Sequence, residues 1–155
     1  MSTVATLIKD MIENQWTAIA PPVADIYFGT GWYEKDEPQK HQVIVSHVFS
    51  PPIRWFGAST SDCADPLHTL TNEVYQVDCW VRSDRGENDL TADELTVWNM
   101  KEEVIRILNV FRKQFSLPVG LVIPLDRGRQ LNEQGHNRQP RIFRWNIRVQ
   151  ANYKT

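Results

Sequence analysis

The stretch NEVYQVDCWVRS, residues 72–83, decides how this chain is read. Tyr75, Val77, Cys79 and Val81 share one parity; Gln76, Asp78, Trp80 and Arg82 share the other. Successive side chains of a strand point to opposite faces, so this alternation describes a strand with one buried side. Trp80 breaks the pattern, being a large apolar ring on the parity that should be wet.

The same period returns in PRIFRWNIRVQANYK, residues 140–154. Phe143, Trp145, Ile147, Val149, Ala151 and Tyr153 alternate with Arg144, Asn146, Arg148, Gln150 and Asn152. Burying each large apolar side chain is worth about 1.5–3 kcal/mol, and a one-residue slip would expose the whole set, so the register is fixed. HQVIVSHVF (41–49) has strand composition and is stopped by Pro51-Pro52; short strands are also expected at Ala24–Phe28 and within RWFGAS (54–59). Val119–Leu125 is apolar, and Pro124 directs it to a sheet edge.

Two segments read as helices. Over residues 3–19, Val4, Leu7, Ile8, Met11, Ile12 and Ile19 form one stripe that Pro21-Pro22 ends. Thr91 and Glu94 make a capping box, after which Leu95, Trp98, Ile105, Leu108, Phe111 and Phe115 supply an apolar face with Val104 beside it. Strands cluster instead of alternating with helices. The expectation is therefore an α+β fold: a mostly antiparallel sheet with an N-terminal helix and one long helix, about 91–115, packed on one face. A single domain over residues 1–155 is expected, with a polar loop or hairpin arm at about 126–140.

Composition narrows the function classes. The chain has 155 residues, 41% hydrophobic and 23% charged, with a net charge of −2, an ordinary globular balance that does not suggest a nucleic-acid binder. Charge is uneven: residues 126–155 carry seven Lys or Arg against two Asp or Glu, and residues 1–125 carry ten against seventeen. Such opposite fields suit a self-associating protein. The N-terminus does not read as a signal peptide and no stretch has membrane-span length, so a soluble protein made in a cytoplasm is expected, with no membrane partner. Cys63 and Cys79 form no disulfide framework, and Cys79 reads as a core residue.

There is no phosphate loop, HExxH, CxxC or GxSxG, and Gly29-Thr30-Gly31 reads as a turn. Asp62, Cys63, Asp65 and His68 have mixed ligand types at spacings that match no closed zinc site, so they read as a polar loop. His41 and His47 share a parity but stand too far apart to hold one ion, and His136 falls in the polar arm. Asp78 reads as a solvated or ion-paired residue facing Arg144 or Arg148 on a neighbouring strand. Arg138, Arg141, Arg144 and Arg148 form a basic row, read either as a phosphate-binding surface with Trp80 as a stacking ring, or as the wet side of a strand and a subunit contact. The second is preferred. No catalytic residue, cofactor or metal ligand is expected.

The succession VYQVDCWVRS, acidic turn, ELTVWNMKEEVIRILNVF, polar hairpin region and RIFRWNIRVQANYK resembles the tail terminator or tail-completion (neck) proteins of tailed phages. The resemblance implies a non-enzymatic virion protein, made in the host cytoplasm. It would form a ring with itself, a hexamer, at the head-proximal end of the tail. There it would stop the tail tube and join it to neck or connector proteins, with room for transient contact with passing DNA. Trp32, Trp55 and Trp80 all fall in segments read as loop, edge or outward-facing, where aromatics often make subunit contacts. Trp80 is expected to be covered by a helix on the second sheet face or by another subunit, the subunit being preferred because only two helices are convincing, and Trp55, Trp80, Arg82, Arg144 and Arg148 are the expected interface residues. Arg127, Arg129 and Arg138 are expected on the lumen- or partner-facing arm. The alternatives are a head–tail connector, a small α+β domain with a pocket near Asp62, His68 and Asp78, and a nucleic-acid-binding sheet using Trp80, Arg144 and Arg148.

Overall fold

In a computed structural model the described residues are 4–49, 70–83, 90–114, 119–132 and 141–154. Chain order is α1 (Val4–Asn14), a 3-10 turn (Val23–Asp25), β1 (Ile26–Thr30), β2 (His41–Phe49), β3 (Leu70–Ser83), α2 (Leu90–Val110), β4 (Val119–Pro124), β5 (Arg129–Asn132) and β6 (Arg141–Lys154). The fold is α+β. One six-stranded sheet has the order β1-β2-β3-β6-β4, with β5 also paired to β6. Every pairing is antiparallel except that of β1 with β2.

The two alternating segments are the centre of this sheet. β3 and β6 pair over their whole lengths, Leu70 opposite Lys154 and Ser83 opposite Arg141. Val77 stands opposite Ile147 and Cys79 opposite Trp145, so the two apolar parities coincide on one face. Val43 and Val45 of β2 extend that face across Cys79 and Val77. α1 and α2 pack there, and the core joins Ile8 and Ile12 of α1, Val97, Met100, Val104, Ile107 and Leu108 of α2, and Val77, Cys79, Ile147 and Val149 of the strands. Burial pushes the Cys79 thiol well above its usual range, which suits a small core hydrophobe.

Both helices differ from their sequence pattern in an instructive way. α1 stops at Asn14 because α2 captures the chain that follows it. Glu103 Oε1 accepts from the Thr17 N–H (3.0 Å) and the Thr17 hydroxyl (3.3 Å), while Arg106 donates to the Gln15 carbonyl (2.9 Å) and to Glu103. Burial opposes the Glu103 charge, but Arg106 and Thr17 outweigh it and hold the carboxyl below its usual range. Trp16 then turns inward against Phe28 (centroids 5.7 Å) and donates to the Pro21 carbonyl (3.0 Å). Ile19, placed by periodicity in the helical stripe, falls beyond the helix and is 88% exposed.

In α2 Val104, Ile105 and Leu108 are buried as expected, but the first half of the helix departs from the pattern. Leu95 and Trp98 are 57% and 47% exposed, whereas Val97, Met100 and Lys101 are buried. The helix begins at Leu90, so Thr91 is its second residue and not the cap. It also ends at Val110, short of residue 115, because the Arg112 carbonyl is taken by the Val122 N–H (2.9 Å) as β4 joins the sheet. Phe115, the RWFGAS segment and residues 133–140 lie outside the described residues. The polar arm is a hairpin as far as it is described, with β5 laid on β6. Gly128 at its bend has φ +77°, and an added Cβ would lie 2.5 Å from both the Asn146 carbonyl oxygen and Trp145 Nε1, so only glycine fits.

Truncating Ile147 to alanine is expected to cost about 2–5 kcal/mol, whereas Ile19→Ala stays within roughly 0.5 kcal/mol of wild type, both read from urea midpoints.

Candidate functional site

Trp80 lies on the sheet face turned away from the helices, and its own chain covers it. The parallel pairing of β1 and β2 requires a crossover, residues 31–40, and that segment folds back over this face. Gln42 anchors it: its Nε2 donates to the Glu34 carbonyl (2.7 Å) and its Oε1 accepts from the Glu34 N–H (3.0 Å). At the two ends, the Gly31 N–H donates to the Val45 carbonyl (3.0 Å) and the Arg82 N–H to the Lys40 carbonyl (2.8 Å). Gly31 starts the crossover at φ +103°, a conformation open to glycine.

The crossover brings two rings onto the indole. Trp32 packs edge-on against Trp80 with centroids 5.6 Å apart, and Tyr33 lies tilted at 5.2 Å. Arg144 inserts its guanidinium beside them, 4.7 Å from the Trp80 ring centre and 4.9 Å from that of Trp32. Its Nε and one terminal nitrogen donate to the two oxygens of Asp78 (2.8 and 3.1 Å), and Asn146 donates to Asp78 Oδ1 (2.7 Å) and to Gln76 Oε1 (3.1 Å). Asp78 is 1% exposed and Trp80 3%. Trp32 is the outer ring, 59% exposed. A carboxylate is tolerated at this depth because its charge is paired and its lone pairs are used.

A second aromatic group sits on the helix side. Lys101 is buried with its ammonium 3.3 Å from the Trp98 ring centre and 4.7 Å from that of Trp145, and the two indoles meet edge-on at 5.4 Å. Lys101 also reaches Glu102, which takes two hydrogen bonds from Arg127 (3.0 and 2.9 Å); these cations hold the Glu102 carboxyl below its usual range. Trp145 Nε1 donates to the Arg127 carbonyl (3.0 Å), tying the β4–β5 bend to β6.

The sequence-predicted residues therefore scatter. Trp80 and Arg144 do come together, but inside one chain, which corrects the expectation that a second subunit seals Trp80. Stacking of a base on Trp80 would require the crossover to leave. Asp78 is ion-paired as anticipated, to Arg144, but buried instead of wet. Arg82 is half-buried beside the crossover, with one guanidinium nitrogen 3.5 Å from the Lys35 carbonyl. Arg148 is exposed and reaches Asp126 (3.3 Å). Arg127 is on the helix side with Glu102, and Arg129 is exposed on β5. Trp55, Arg138, Arg141's side chain and the group Asp62, Cys63, Asp65 and His68 lie outside what is described. Among the described residues no three His, Cys, Asp or Glu side chains converge as a metal site, and no helix is long and apolar enough to cross a membrane.

Sequence reasoning singled out Trp32 as a contact aromatic but not as a cover for Trp80, and it missed Tyr33, Gln42 and Lys101. Lys101 did carry a signal: it stands four residues after Val97 and three before Val104, within the buried stripe. One groove of about 380 Å³ opens beside the sheet, lined by Ala24, Asp25, Pro38, Gln39, Lys40 and His41. Burial holds the His41 imidazole below its usual range against the pull of Asp25 and Asp93. No protein-family model matches the chain, and no curated protein matches its sequence.

Asp78→Ala leaves the Arg144 guanidinium buried without its counter-charge and should cost about 3–5 kcal/mol in urea unfolding; the double variant with Arg144→Ala should lose less than the two single losses combined. Because the folded-state pKa of His41 is depressed, its contribution is complete above the unfolded value near 6.5 and declines as pH falls through the folded value. Wild-type stability should thus begin to drop at about pH 6.5 by thermal melting, and His41→Gln should remove that part of the drop.

Proposed function

We propose that this chain is a structural virion protein of a tailed virus. In this reading it assembles into a six-membered ring at the head-proximal end of the tail, ends the tail tube there and joins it to the neck, by complementarity of surface and without turnover. The observation that carries the reading is the placement of the segments on which the family resemblance rests. VYQVDCWVRS and RIFRWNIRVQANYK are adjacent strands at the centre of the sheet, and ELTVWNMKEEVIRILNVF is the helix laid over them. Those segments thus form one packed unit.

Two further features support assembly. Indole surface remains open at Trp32 and Trp98, on opposite sides of the sheet. Among the described residues β1 and β4 are terminal in the sheet order, and β1 is a short strand paired with β2 alone. Trp80 lends no support, since the chain's own crossover covers it.

Light scattering of the purified chain, alone and with tail tubes, should give a ring mass, and electron microscopy of particles should place the ring at the head end of the tail. Particles formed without this chain should carry tails of uncontrolled length. A ring seated in the head portal instead would move the chain to the connector class, and a monomer that ignores tail tubes while taking up a small ligand would defeat the reading.

A further inference from the structure

Residues 31–40 cover Trp80 yet belong to neither the sheet nor the core. They form no helix or strand, seven of the ten are exposed, and none is buried. None joins the hydrophobic cluster that unites the helices with the strands. Between its end bonds, at the Gly31 N–H and the Lys40 carbonyl, the segment is held chiefly through Gln42 and two rings. Arg82 adds a contact at 3.5 Å with the Lys35 carbonyl.

The surface beneath is incompletely satisfied. Trp80 is almost fully buried, and its Nε1–H is shut from water and meets no acceptor among the described residues. A buried donor without an acceptor raises the free energy of the covered arrangement. Gln42 is fully buried too, and both ends of its amide bond to Glu34. Lifting residues 31–40 would hand the indole N–H and the Gln42 amide to water and would wet Trp80 and Tyr33. Separating β3 from β6 would instead wet Val77, Cys79, Ile147 and Val149 and part the buried Asp78–Arg144 pair. Lifting is much the smaller opening, since it breaks few contacts and leaves the core closed.

We infer that residues 31–40 are a strap that lifts from the folded sheet as a unit, hinged at Gly31 and latched by Gln42, and so gates the surface of Trp80 and Arg144. Gly31 suits a hinge: its φ is +103° and nothing lies within 4 Å of where a Cβ would stand. The closed form, with Trp32 seated on Trp80, is the ground state. The lifted form is a minor state that presents a bare indole beside an ion-paired guanidinium. A partner for that surface would bind the lifted form, with its affinity reduced by the fraction of chains that are open. The gate acts within one chain and stands whether or not rings form.

Hydrogen exchange on the full-length chain, followed by NMR over a series of low urea concentrations, tests the gate. The N–H groups of Gly31 and Glu34 and the indole N–H of Trp80, identified by its loss in Trp80→Phe, should exchange together. Their protection should be at least about a hundredfold below that of the β3–β6 ladder amides, with little dependence on urea. Gln42→Ala should lower that protection by a further factor of about ten while the urea dependence stays small. Unchanged strap protection in this variant overturns the latch. The wild-type series decides the rest even if the variant fails to fold. Strap and indole protons that share the ladder's protection and urea dependence overturn the gate, because the strap then lifts only on global unfolding. An indole proton that exchanges with the ladder while Gly31 and Glu34 exchange early also overturns it, because the strap then frays without uncovering the ring. An indole proton with no protection overturns the closed ground state.

Discussion

The register between β3 and β6 is the constraint on which the rest depends. These strands pair over fourteen residues, and both alternate with period two. One choice of register fixes both faces together. It puts Val77 beside Ile147 and Cys79 beside Trp145 under α2, and on the other side it puts Trp80 beside Arg144 and Asp78 beside Asn146. From there Arg144 reaches diagonally to Asp78, so the ion pair and the contact of guanidinium with indole come from the same alignment. A slip by one residue would turn Asp78 and Arg144 into the helix-packed core and carry the apolar set out of it.

The buried polar layer follows from that alignment. Replacing a buried ion pair by apolar groups often gains stability, so the Asp78–Arg144 pair is better understood as specifying the arrangement than as strengthening it. It makes wrong registers costly, because each would bury a charge without its partner. The crossover 31–40 completes the layer. Gln42 holds Glu34 at two points, and that hold brings Trp32 and Tyr33 down on Trp80. The helix side repeats the device with Lys101 between Trp98 and Trp145. In both places a buried cation braces an indole whose other surface, or whose neighbour's surface, faces outward.

The proposed assembly draws on that bracing. Rigid exposed aromatics surrounded by charge make efficient contact points because little conformational entropy is lost when they are covered. The proposed ring therefore leans on the open indoles of Trp32 and Trp98, where the sequence alone had directed attention to Trp80.

The sequence by itself determined the strands β2, β3 and β6, the edge position of the Pro124 strand and the α+β class, because period-two alternation and proline are local signals that survive any packing. It also narrowed the partner of Asp78 to Arg144 or Arg148, since facing parities on adjacent strands limit the choice; the structure selects Arg144. Tertiary structure decided the rest. The inward side of the first half of α2 turned on Lys101, a charged residue admitted to the buried side because two indoles and a carboxylate receive it. The end of α1 turned on Glu103 and Arg106, about ninety residues away in the chain. Which side of the sheet the crossover passes over, and hence what covers Trp80, depends on a hydrogen-bonded hold at Gln42 that leaves no periodic trace in residues 31–40. Local pattern records how a segment meets a surface; it does not record which distant segment supplies that surface.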